Sequence, residues 1–342
     1  MHAQAVESLP EAMVAGGCDL DEAVSREFAK RFPGVRTGVD LDALLAELQP
    51  EIVIIAAITA SHIGIFDRVM ARGDKVRGIF VEKPMAVHLG DARRMVDACE
   101  ARGIALVVNH QRRREAGYLT MRRLMDEGRI GRISMIRATC AGDFMSDGTH
   151  LIDTTRFLLH DVPAEWIIGQ VFRDPAGAPL GYDDEVFTGE RFGHVVESGA
   201  FAIAQFEGGV QVEYRTGKLM KPRSSYHDIE VVGQEGSLHA CDGHLPVDLD
   251  YRTKDGPWTP VPLDPWPEPE LGRFGLGHAQ NLRLMIEGFE DGREHPMSGC
   301  QGLRDHELVT AVYESARLHK RVSASDLPSR FPLEAMIEQG IF

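Results

Sequence analysis

Val76-Arg77-Gly78-Ile79-Phe80-Val81-Glu82-Lys83-Pro84 is an apolar run that closes on a charged pair and stops at a proline. Its length suits a buried strand, and Pro84 supplies the turn that ends it. In open α/β sheets, ligands bind outside the carboxyl ends of the strands. A Glu-Lys pair at that edge makes Lys83, with Glu82 and Pro84 beside it, the first candidate for chemistry. The same residues would also serve as a plain solvated strand end, so the flanking sequence has to decide.

Upstream, short apolar runs alternate with helical segments. Residues 2 to 8 read as a helix ended near Pro10, and Ala12 to Cys18 as a strand leading into Asp19-Leu20-Asp21. Val24, Phe28 and Phe32 repeat at helical spacing, and Asp40 caps a helix with Leu41, Leu44, Leu45 and Leu48. Ile52 to Ala57 is a continuous apolar run, as in a strand buried on both faces. Helices follow at about 62–72 and 89–102, and a strand at 104–108. The pattern predicts βαβ crossovers and a doubly wound parallel sheet of Rossmann type.

In such a sheet an acid after the second strand bonds the adenosine ribose. Asp19 stands at that place, although Asp19 or Asp21 could equally cap the next helix. An acid there, with no basic neighbour, favours NAD over NADP. No G-x-G-x-x-G lies near the start, and the chain opens inside what should be the first helix. Both those glycines and the central strand that should precede them are absent from the sequence.

Beyond Val108 lie Asn109-His110-Gln111-Arg112-Arg113-Arg114, polar and basic residues facing the same edge as Lys83 or forming an exposed basic loop. Asp147-Gly148-Thr149-His150-Leu151-Ile152-Asp153 puts Asp147, His150 and Asp153 at steps of three, on one face of a helix starting near Gly148. A histidine flanked by carboxylates is a reasonable general base, because an acid fixes its tautomer and raises its basicity. The same residues could instead be a cap, a hydrogen-bonded histidine and an ion pair. Strand-like runs from 164 to 240 then point to an α+β second domain with long Pro- and Gly-rich loops at Arg173 to Ser198 and Thr253 to Gly277. Helices resume at about 278–290 and 302–319, where His278 could face the cleft but reads more simply as an ordinary helix-start histidine.

These residues resemble the glucose–fructose oxidoreductase, inositol dehydrogenase and rhizopine-catabolism family, Gfo/Idh/MocA. The matches are Cys18 to Asp21, Thr59-Ala60-Ser61-His62, Glu82-Lys83-Pro84, Asn109 to Arg113, Glu127 to Gly131, Gly148 to Asp153 and Val309 to Arg317. The resemblance implies a Rossmann domain over 1–110, a substrate and oligomerisation domain with a large open, mainly antiparallel sheet over 111–325, and a tail over 326–342. It implies NAD(P)-dependent oxidation or reduction of a sugar, inositol or related polyol. Lys83 would lie near the nicotinamide and His150 would be the acid/base, with its partner acid open between Asp147 and Asp153. Asp19, Thr59, His62, Glu82, Lys83 and Pro84 would hold the cofactor, and Asn109, Arg112, Arg113 and His150 the substrate. A homodimer or homotetramer is the expected assembly. The alternative is a non-catalytic sugar-binding or regulatory relative that has lost its cofactor.

Bulk properties narrow the remaining partners. With 52 acidic residues against 37 Lys plus Arg the net charge is −15, which repels nucleic acid and anionic lipid. No apolar run approaches a membrane span, and no signal pattern opens the chain. The five cysteines form no C-x-x-C pair, so the sequence offers no metal cage or disulfide framework and reads as cytoplasmic.

Overall fold

The structure, a computed structural model, describes residues 1–179, 186–219, 226–242, 247–263 and 271–342, the side chains of 273 and 274 excepted. The first part alternates as the sequence predicts: α1 His2–Glu7, β1 Gly16–Cys18, α2 Glu22–Arg31, β2 Arg36–Gly38, α3 Leu41–Leu48, β3 Ile52–Ile55, α4 His62–Arg72, β4 Gly78–Glu82, α5 Leu89–Arg102 and β5 Ala105–Asn109. Every pairing among these strands is parallel. The ladders form two sheets, β1-β2 and β3-β4-β5.

β4 is the central strand of the three, and its side chains alternate between two cores. Ile79 and Val81 enter one core with Val96, Leu106 and Val108. Phe80 points the other way, into a second core with Ala5, Leu9 and Val107. Ile52 to Ala57 was expected to be buried on both faces. The strand is shorter and borders only β4, so Ile52, Val53 and Ile54 are half-buried and only Ile55 is fully covered.

The chain continues through α6 Ala116–Asp126, β6 Ile133–Cys140, α7 Thr149–Leu158, β7 Ala164–Phe172, β8 Glu190–Arg191, β9 His194–Val195, β10 Gly199–Phe206, β11 Gln211–Thr216, β12 His227–Gly233, β13 Gly236–Asp242, β14 Asp248–Thr253, β15 Thr259–Pro260, α8 Gly272–Asp291, α9 Gly299–Leu318 and α10 Pro332–Glu338. An eight-stranded sheet runs β15-β14-β13-β12-β6-β11-β10-β7. All its pairings are antiparallel except β6 with β11. Of the two segments read as loops, Arg173 to Ser198 thus carries β8 and β9, and Thr253 to Gly277 carries β15 and the start of α8, while Pro265-Trp266-Pro267 lies outside the described residues. Residues 326–342, read as a tail, hold α10 with Phe331, Leu333 and Met336 buried.

One face of this sheet is the inside of the molecule, with Ile136, Ala138, Ala202, Val212, Tyr214 and Val231 fully buried. The helix α9 joins the two halves. It packs on β7 and on α5 and β5, and a Cβ at Gly302 would meet Val108 Cγ2 at 2.3 Å. Only glycine permits that approach. The helix α8 covers the opposite side of β4 and β5, against α1.

Because Ile79 is fully buried in β4 and Ile54 half-buried in β3, Ile79→Ala should cost about 2–5 kcal/mol and Ile54→Ala clearly less. Urea unfolding of the two variants checks this, and equal losses would contradict the placement of β3.

Candidate active site

The alternation along β4 continues through its last residues and sends neighbouring side chains to opposite sides. Glu82 follows Phe80 toward α1 and α8. Its Oε1 receives His2 Nε2 at 3.0 Å, His278 Nε2 at 3.2 Å and Asn109 Nδ2 at 2.7 Å. Burial alone would raise its carboxyl, but the hydrogen bonds from His2 and His278 hold it well below the ordinary carboxylate range. Lys83 goes the other way: its Nζ donates to the Ser146 carbonyl at 2.8 Å and stands 4.0 Å from Asp147 Oδ1. The Lys83-Pro84 peptide is cis.

Residues Phe144–Gly148 form a π-helical turn ahead of α7. Such turns hold more residues per turn than an α-helix and recur at functional sites. Here the turn brings the Ser146 carbonyl to Lys83 and the Asp147 carboxylate to Arg191 and Tyr226. Burial pushes the Asp147 carboxyl up, opposed first by Lys83 and reinforced by Asp143. The turn is itself tied down by Glu197, which accepts the Phe144 N–H and the Tyr313 hydroxyl, each at 2.6 Å. Burial and then the nearby Asp143 push the Glu197 carboxyl up to about 8.

His150 lies one turn further on, almost fully buried, with no partner for Nδ1 among the described residues. Two more imidazoles stand edge-on to it, His110 with ring centroids 5.6 Å away and His227 at 5.7 Å. Burial, followed by the charges of Lys83 and Arg112, holds His150 well below the ordinary histidine value. It is therefore a neutral imidazole at physiological pH, ready to accept a proton.

Asp147 and Asp153, the two candidate partners, are both engaged by other residues. Asp147 faces Arg191, Tyr226 and Lys83. Asp153 receives Arg113 Nε at 2.6 Å, and Arg113 also forks onto Asp161 at 2.8 and 2.9 Å. Burial and Asp305 push the Asp153 carboxyl upward against the pull of Arg113.

The expected substrate residues are drawn into the structure in the same way. Arg113 is buried in that ion-pair cluster, Arg112 pairs with Asp242, and Asn109 bonds Glu82 and Asn281. Of the expected cofactor residues, Asp19 is exposed at the carboxyl end of β1, where its Oδ1 accepts the Asp21 N–H at 2.9 Å while Asp21 caps α2. Thr59 opens the 3-10 turn Thr59–Ser61 and is buried. Both ring nitrogens of His62 face backbone carbonyls, Pro84 O at 3.1 Å and Ala57 O at 3.0 Å, so this ring ties the end of β3 to the end of β4.

The chain has known relatives. Residues 1–110 match the GFO_IDH_MocA family, described as an oxidoreductase family with an NAD-binding Rossmann fold, and residues 118–239 match the GFO/IDH/MocA C-terminal domain. The chain belongs to this family. It is 26% identical to inositol 2-dehydrogenase of Rhizobium meliloti over 94% of the chain and 95% of that protein. It is 27% identical to D-apiose dehydrogenase of Paraburkholderia graminis over 99% and 90%. Among solved structures, the super-repressor mutant of Gal80p from Saccharomyces cerevisiae shares the fold at TM-score 0.78 and 16% identity, covering 95% and 93% of the two chains.

Within this GFO/IDH/MocA fold, several groups around Lys83 and His150 carry no signal in the sequence. Arg191 sits in a stretch read as a loop and closes on Asp143 at 3.2 Å as well as on Asp147. Tyr226 and His227 stack at 4.6 Å at the start of β12, and Arg112 lies over Tyr226 at 5.4 Å. His110 and Arg112 lie inside the Asn109 to Arg113 motif, whereas Arg191, Tyr226 and His227 lie in no quoted motif.

The two acids should separate experimentally. Asp153→Ala leaves Arg113 its Asp161 partner but strips its buried Nε of an acceptor, and should lose about 1–3 kcal/mol in denaturant unfolding. Asp147→Asn, beside Lys83, should lower turnover by more than its loss of stability explains. If the two variants show the same pattern, the division of roles is wrong.

Proposed function

We propose that the protein transfers hydride between NAD and a secondary hydroxyl carbon of a neutral sugar, inositol or related polyol, with Lys83 and His150 at the reacting oxygen. The observation that carries this reading is an ammonium and a neutral, buried imidazole brought together at the carboxyl edge of a parallel sheet. The curated relatives named as inositol and apiose dehydrogenases agree with the substrate class.

The residues present suit a dinucleotide. Exposed Leu20 and Ile58 stand just beyond the ends of β1 and β3, at 85% and 51% exposure, and offer apolar surface for flat rings. Asp19, next to Leu20, offers a carboxylate to ribose hydroxyls and repels a 2′-phosphate, which favours NAD over NADP. Thr59 and Pro84 border the same edge. Bound NAD would supply the hydride acceptor. The protein's own part is to hold the hydroxyl with Lys83 Nζ, to stabilise the negative charge that develops on it, and to take its proton on His150. Asp147, Tyr226 and Arg191 would fix the direction of the Lys83 ammonium.

The free cysteines suit a reducing cytoplasm, and no helix among the described residues is long and apolar enough to cross a membrane. The outer face of the large sheet pairs Ile168 with Ile203 beside Trp166 and Phe201. An apolar sheet face is usually buried, here by a second copy of the chain. Sedimentation at micromolar concentration should give a dimer or tetramer, and Ile168→Asp should shift it toward monomer.

Lys83→Ala should lower kcat/KM by about 10²-fold or more with little change in NADH binding measured by fluorescence titration. Equal loss of both would reject its role. The acid limb of the pH–rate profile should lie below the ordinary histidine value of 6.5, because the depressed imidazole stays neutral until lower pH, and His150→Gln should remove it. The same fold occurs in a protein described as a super-repressor mutant, and a fold does not by itself fix function. No NADH binding would favour the non-catalytic reading.

A further inference from the structure

Among the described residues, two groups of His and carboxylate side chains converge closely enough to share one cation. They are His110, Asp153 and Asp305, and His2, Glu82 and His278, with one ligand atom from each residue within 4.8 Å of the others in both groups. Charge separates them. Asp153 and Asp305 are already neutralised by Arg113 and Arg156, and a divalent cation beside two guanidinium groups would be repelled. Glu82 has no Lys or Arg ion-pair partner among the described residues. Its ionic contacts are the two imidazoles alone.

The bonding at Glu82 is also over-subscribed. An oxygen of a carboxylate has two lone pairs, yet Oε1 faces three nitrogens, from Asn109 at 2.7 Å, His2 at 3.0 Å and His278 at 3.2 Å. A cation seated between the three side chains resolves this. Each imidazole then gives its Nε2 lone pair to the metal, and Oε1 divides its two lone pairs between the metal and the Asn109 amide. The nitrogen-to-oxygen separations of 3.0 and 3.2 Å are close to the roughly 3.3 Å edge of a tetrahedron built on metal–ligand distances of about 2.0–2.1 Å. The three ligands come from α1, β4 and α8, so their backbones are held by separate packed elements.

We propose that His2 Nε2, Glu82 Oε1 and His278 Nε2 form a site for a borderline divalent cation such as Zn²⁺, with the fourth position left to water. Two imidazoles and one carboxylate select Zn²⁺ or Co²⁺ over the oxygen-seeking Mg²⁺ and Ca²⁺. The bound ion ties α1 and α8 to the end of β4 on the side opposite Lys83. The site is independent of the hydride chemistry and does not depend on it.

Titration of the full chain with ZnCl₂ by calorimetry should show one ion per chain and a raised thermal midpoint. Co²⁺ should give the visible absorption of a tetrahedral centre, and MgCl₂ should give neither. His278→Gln keeps an N–H donor for Glu82 but removes the imidazole, and it should weaken Zn²⁺ binding at least tenfold, as should His2→Ala. Absence of stoichiometric Zn²⁺ binding overturns the proposal, as does binding that survives both substitutions.

Discussion

The hydrogen bond from Lys83 Nζ to the Ser146 carbonyl joins the end of a parallel strand to a turn that belongs to the other sheet. Everything else at the site depends on it. Lys83 can reach that carbonyl only because β4 is central and straight enough to keep its alternation to the last residue, with Ile79 and Val81 on one side and Phe80 on the other. Ser146 can offer its carbonyl because a π-turn leaves backbone acceptors outside the α-helical ladder. The turn in turn needs Glu197 and Tyr313 behind it. The position of one ammonium is thus set by packing on both sides of the molecule.

Buried charge is the second constraint. Arg112, Arg113 and Arg156 are each close to fully buried, and each meets a carboxylate: Asp242, Asp153 with Asp161, and Asp305. An isolated guanidinium at such depth would cost several kcal/mol. Burial is the first cause of the depressed basicity of His150, and the charges of Lys83 and Arg112 add to it. His110, pushed down to about 4 mainly by burial, stays neutral for the same reason. Two neutral imidazoles, His110 and His150, thus stand near the Lys83 ammonium.

Much of this was legible in the chain. Helices α4 and α5 follow from apolar spacing and stop signals, and the strand that ends at Glu82-Lys83-Pro84 was visible from its composition. Those signals are local. Ile52 to Ala57 misled because burial of a strand depends on which strands lie beside it, and a run of β-branched residues does not report its neighbours. The short strands β8, β9 and β15 were hidden in stretches rich in Pro and Gly, since pairing and not propensity makes them. The acids around His150 were chosen by spacing of three along a helix, but the π-turn rotates Asp147 toward Arg191 and Tyr226, and Arg113 draws Asp153 into the core. Both displacements are caused by residues far away in sequence.

The two sides of β4 have separate chemistry for a geometric reason. In a strand, adjacent side chains differ by half a turn, so Glu82 and Lys83 cannot serve the same pocket. An acid next to a lysine would ordinarily be read as its ion-pair partner, which would quench the ammonium. Here the pleat forbids that pairing: Glu82 contacts Lys83 only through the Lys83 backbone N–H, at 3.3 Å. The carboxylate is left to gather His2, His278 and Asn109 on one face, while the ammonium meets Ser146 and Asp147 on the other. A strand end can therefore hold an anion centre and a cation centre side by side in sequence, because the backbone itself separates them.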